Sequence, residues 1–153
     1  MIVVSDTTAI SGLIQIGRVE LLREMFGEVH VPVAVRDELL HSHHALPAFL
    51  QIDSVVNRLE VARLEHELDL GEAEAIVLAR ELRADVLLMD EKIGRRVAQR
   101  EGVPIIGLMG VLVAGKQRGF VPSVRVFVGE LESKAGFRVS ARVKQMVFAQ
   151  AGE

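Results

Sequence analysis

Ile2-Val3-Val4-Ser5-Asp6-Thr7-Thr8 and Val86-Leu87-Leu88-Met89-Asp90 repeat one pattern: a short apolar run ending on an aspartate. Neither run alternates apolar with polar residues, which marks strands covered on both faces. Working outward, helical spacing predicts Thr8–Ile16, capped by Thr7 or Thr8, then Val19–Phe26, with Gly17 between them. Glu28–Val31 is a weaker strand. Pro32 is suited to a first helical turn, with Val33, Val35, Leu39 and Leu40 carrying that helix to about His41. Ser54–Val56 is a predicted strand, and Arg63–Leu68 fits no pattern decisively. Helices follow at Glu72–Leu82 and Lys92–Glu101, a short strand at Ile105–Ile106, and helices at Gly110–Arg118, Val124–Ala135 and Ser140–Ala151. Apolar strands alternating with helices imply a single α/β sandwich with a parallel sheet, over residues 1–153.

Composition narrows the class. Half of the 153 residues are hydrophobic, enough for a real core and against disorder. No cysteine is present, which removes disulfides and thiolate metal sites and suits a reducing cytoplasm. No basic region precedes the first strand and no apolar stretch can span a bilayer, so neither a signal peptide nor a membrane segment is expected. The net charge of −3 conceals an asymmetry. Residues 1–91 hold 7 Lys+Arg and 17 Asp+Glu, whereas residues 92–153 hold 11 and 4. Such a split suits a cation in one half and an anionic partner in the other, or two solvated faces that offset each other.

In an open parallel sheet, ligands bind beyond the carboxyl ends of the strands. Asp6 and Asp90 stand at two such ends. Glu38, on the helix after Pro32, and Glu72, in the first turn after Gly71, can join them. Glu74 lies about 200° around the helix from Glu72, on another face. At 4 Å and an effective dielectric of 20, each pair of carboxylates repels by about 4 kcal/mol. A cation relieves that, and oxygen ligands without Cys suit Mg²⁺ or Mn²⁺. Such a site supports displacement at phosphorus. Taken singly, each acid also serves as a helix cap, a dipole partner or a solvated residue. His41, His43 and His44 lie in a polar turn without the spacing of zinc ligands.

The chain resembles PIN-domain proteins, the fold of VapC-type toxin ribonucleases, in a PIN-like branch of unknown function. The likeness rests on Val4–Thr8, Pro32–Leu39, Leu70–Ile76, Leu87–Glu91, Ile106–Leu112 and Ala151–Glu153. It implies a three-layer α/β/α fold with a short central parallel sheet and an acidic pocket binding Mg²⁺ or Mn²⁺. It implies metal-dependent cleavage of RNA phosphodiesters. Carried over residue by residue, Asp6 matches the first acid, Glu38 the second and Asp90 the last. Glu72, with Glu74 as its alternative, takes the place of a third acid that is usually Asp. The stretch after Asp90 lacks the acid-plus-aromatic ending common in VapC proteins. Thr7, Arg95 and Arg96 are candidate contacts to RNA, with a solvated helix face as the other role for the arginines.

Two functions follow from that likeness. One is a cytoplasmic endoribonuclease, the toxin of a toxin–antitoxin pair, with a small antitoxin as partner. The other is a PIN-fold module that binds RNA or protein without cleaving. A phosphoryl-accepting receiver domain would need adjacent acids after the first strand, and Asp6 stands alone. A homodimer is expected through Val143, Met146, Val147 and Phe148, unless that face packs on its own sheet.

Overall fold

The computed structural model describes residues 1–153, and in it the two apolar runs are neighbours. The elements in chain order are β1 (Val3–Ser5), α1 (Thr7–Gln15), α2 (Glu20–Phe26), β2 (Val29–Pro32), α3 (Val33–Ser42), β3 (Leu50–Asp53) and α4 (Arg58–Leu64). They continue with α5 (Leu70–Glu81), β4 (Val86–Leu88), α6 (Lys92–Arg100), β5 (Ile105–Ile106), α7 (Leu108–Gln117), α8 (Val124–Ala135) and α9 (Ala141–Gln150). All five strands are parallel in the order β3-β2-β1-β4-β5.

The sheet separates two cores, giving the expected three layers. Val3 and Leu88 point into one, closed by α1, α2, α7, α8 and α9. Val4, Leu87 and Met89 point into the other, closed by α4, α5 and α6. Successive residues of a strand serve opposite faces, so both must be apolar; this is why the runs do not alternate.

The third strand differs from expectation. Leu50–Asp53 pairs in register with β2, Val29 opposite Leu50 and Pro32 opposite Asp53. The stretch expected as a strand, Ser54–Val56, is instead the approach to α4. The Glu81 carboxylate accepts from the Val56 and Asn57 N–H groups, and the Asn57 side chain caps α4 by accepting from Glu60 N. The undecided segment at Arg63–Leu68 holds the end of α4 and the turns after it. Pro32 ends β2 in extended conformation and precedes the first turn of α3 instead of occupying it.

A second brace lies at the start of α8. The Glu153 carboxylate accepts from Val124 N at 2.6 Å, Arg125 N at 3.2 Å and the Ser123 hydroxyl at 3.0 Å, with Lys116 Nζ 3.3 Å away. These donors hold its pKa down at about 2. No helix is long and apolar enough to cross a membrane.

Candidate metal centre

Because β1 and β4 pair with Ser5 opposite Leu88, their carboxyl ends deliver Asp6 and Asp90 to one edge. The chain leaves β1 toward β2 on one side and reaches β4 on the other, so the strand order reverses here. A crevice opens at such a point. It is a cavity of about 330 Å³ lined by Asp6, Thr7, Thr8, Glu38, Asp69, Glu72 and Glu91, none of them hydrophobic.

Asp6 occupies the N-cap position of α1, yet its side chain makes no capping bond. Neither do the hydroxyls after it cap the helix, contrary to expectation. Thr7 Oγ1 donates to Glu38 Oε2 at 2.5 Å, and Thr8 Oγ1 reaches Glu91 Oε1 at 3.4 Å. Asp6 is 2 % exposed, and its Oδ1 has no hydrogen-bond partner. Burial, then the charges of Asp90, Glu72 and Glu91, push its pKa well above the ordinary carboxylate range.

Asp90 does not cap the helix that follows it; Glu91 holds that position. Its Oδ1 instead accepts from Leu108 N at 2.8 Å, the first residue of α7, while its Oδ2 is buried without a partner. Burial raises its pKa, against the lowering effects of the Leu108 N–H and Arg95. Two neighbouring strands thus each present one orphaned carboxylate oxygen. An unsatisfied buried acceptor costs about 1–3 kcal/mol, and a cation between two of them removes that cost. The donor set therefore fits a hard divalent ion.

Glu72 lies in the first turn of α5, whose N-cap Asp69 accepts from Glu72 N at 2.8 Å. Burial, then hydrogen bonding and repulsion from Asp69, push the Glu72 pKa up to about 7. The alternative third acid is placed elsewhere. Glu74 is 5 % exposed; its Oε1 accepts from Ala34 N in the first turn of α3 at 2.9 Å, and its Oε2 pairs with Arg58 at 2.7 Å. Both Glu74 oxygens are committed to the fold and Glu74 does not line the cavity, whereas Glu72 does.

Glycines make room for the acids. A β-carbon on Gly71 would collide with Glu38 Oε1, and one on Gly94 would stand 2.8 Å from Glu72 Oε2. On Gly107 it would stand 3.2 Å from Asp90 Oδ1 and 2.7 Å from Arg95 Nη1.

Neither candidate arginine lines the cavity. Arg95 Nη1 donates to the Met89 carbonyl at 2.9 Å, bracing the end of β4 beside Asp90. Arg96 is exposed, and its charge acts on Glu67. The histidines do not converge: His41 Nδ1 lies 3.0 Å from the Asp37 carbonyl, and His43 Nε2 lies 2.9 Å from Ser11 Oγ. Asp69 and Glu91 line the cavity without having been singled out. Glu91 directly follows Asp90 and Asp69 lies three residues before Glu72, but each also has the position of an ordinary helix cap, which masked it. As placed, no three His, Asp or Glu side chains are set tightly enough to hold an ion.

Residues 2–153 match a family described as a PIN domain. The chain belongs to the PIN-domain family. No curated protein and no solved structure matches it. PIN domains are generally nucleases that use divalent metals.

Proposed function

We propose that this PIN domain is a metal-dependent endoribonuclease that cleaves RNA phosphodiester bonds. The observation that carries it is the pair of buried, unpartnered oxygens, Asp6 Oδ1 and Asp90 Oδ2, at the point where the strand order reverses. Asp6, Glu38, Glu72 and Asp90 would hold Mg²⁺ or Mn²⁺. When bound, the cation supplies an acidified water and neutralises charge on the phosphoryl oxygens. The chain's own part is positional. Leu108 N–H fixes one Asp90 oxygen and leaves the other free, and the Thr7 hydroxyl holds Glu38 at the rim. Below about pH 7 Glu72 keeps a proton on its carboxyl group, which must leave before that group can serve as a ligand.

A second reading, a PIN-fold module that binds RNA or protein without cleaving, is favoured by the absence of three closely set donors and by Glu72 in place of the usual Asp. Calorimetric titration with Mn²⁺ separates the two. Uptake by the wild-type chain, lost in the Asp6→Asn/Asp90→Asn double variant and accompanied by metal-dependent cutting of RNA, supports the nuclease. A folded wild-type chain that takes up no Mn²⁺ supports the binding module.

The toxin role, a small antitoxin partner, a cytoplasmic setting and a homodimer belong to the same proposal. For the dimer, Val147 is buried in the chain's own core and Val143 and Phe148 pack partly against it, leaving Met146 of that face exposed. A monomer by light scattering at micromolar concentration would count against it.

A further inference from the structure

Beside the acidic cavity runs a larger groove of about 840 Å³, and Thr8 and Glu91 line both. Asp90 lines the groove and not the cavity, and the remaining walls differ in character. Met109, Phe137, Val139 and Val143 give it apolar surface, and Lys92 and Arg138 give it positive charge. Both cations are exposed and neither forms an ion pair. Lys92 is the first residue of α6, which carries no acid in its first turn. The helix dipole disfavours a cation there, so Lys92 gains nothing from the fold at that position. The Phe137 ring is held in place: it lies against Gly12 of α1, where a β-carbon would stand 2.6 Å from the ring.

We propose that this groove seats the nucleotide next to the scissile phosphate, with Lys92 and Arg138 each on a flanking phosphate and the base against Phe137 and Met109; this rests on the nuclease reading above. The volume falls within the roughly 300–1,000 Å³ usual for ligand pockets. Two unpaired cations beside a metal-binding edge complement a polyanion, and a fixed aromatic ring takes an unpaired base. A base held in a duplex has both faces stacked and cannot enter.

The test is fluorescence anisotropy with a labelled single-stranded oligoribonucleotide of mixed sequence. It is run in the Asp6→Asn background with Mg²⁺ so that the strand is not cut. Adding Lys92→Ala and Arg138→Ala should weaken binding and make its dependence on log salt shallower by about 1.4, the value for two lost phosphate contacts. Phe137→Leu, with its fold checked by melting, should weaken binding about tenfold, as loss of one stacked base would. Binding of the single strand unchanged in these variants, no binding at all, or equal binding of a blunt duplex would overturn the groove. Mn²⁺ titration of the wild-type chain separates the two levels. A chain that takes up Mn²⁺ but binds the strand without using Lys92 or Arg138 loses the groove and keeps the nuclease. A chain that binds through the groove but takes up no Mn²⁺ keeps the groove and loses the nuclease.

Discussion

Asp6 is buried with an unpartnered oxygen, among Asp90, Glu72 and Glu91, whose charges all raise its pKa. In the metal-free chain these carboxyls oppose ionisation. Their folded pKa values lie above the unfolded ones, so the folded chain holds extra protons above the ordinary carboxylate range, Glu72 up to about pH 7. The stability they contribute is present below that window and lost as pH rises through it. Asp6→Asn should therefore stabilise the metal-free protein by about 0.5–2 kcal/mol at pH 8 and little at pH 4, while removing Mn²⁺ binding; paired melts with and without Mn²⁺ check both. A loss of stability at pH 8 would mean that the carboxylate is held by something in the fold. Asp6 and Asp90 were legible in the sequence because a strand end fixes where its next residue goes. The split between Glu72 and Glu74 was legible only as different faces of one helix. Which face meets the cavity depends on α3 and Arg58, which approach from elsewhere in the chain.

At the scale of elements, the site is assembled by helix ends that meet. Glu74 on α5 accepts from the first turn of α3 and so fixes the angle between them. Glu74→Gln should cost about 1–3 kcal/mol in denaturant unfolding, since it removes a charged acceptor from a buried N–H and from Arg58. It should leave Mn²⁺ affinity intact, whereas Glu72→Gln should do the reverse. Gly71 is a different case. A methyl there meets only the movable end of Glu38, and Ala suits a helix better than Gly by up to about 1 kcal/mol. Gly71→Ala should thus melt no lower than wild type yet bind Mn²⁺ more weakly by calorimetry. Apart from α4, which was not anticipated, the helices were legible to within a few residues because their apolar spacing is strong. β3 was missed because Leu50-Gln51-Ile52-Asp53 is a four-residue alternation whose Ile52 stays 37 % exposed, too short to stand out, while the more apolar-looking Val56 is 84 % exposed.

For the molecule as a whole, acid should act through carboxylates whose pKa values the fold lowers, Glu153 among them with Glu67 and Glu101. The Glu153 pKa of about 2, against an ordinary 4.5, means that its contribution is complete above pH 4.5 and lost as pH falls through about 2. Glu153→Ala should lower the melting temperature at neutral pH, and that difference should vanish near pH 2; a difference that persists would put the effect in packing instead of charge. The strand order has a consequence in time. β1, the first strand in the sequence, pairs with β4 across most of the chain, and Thr8 and Glu91, which meet over the site, lie 83 residues apart. Closing so long a loop is slow and precedes its reward. During synthesis Asp6 emerges early and waits, without Asp90, until β4 has emerged and docked beside it. On the nuclease reading proposed above, a nascent chain of this protein would be harmless to the RNA it is being read from until β4 is in place.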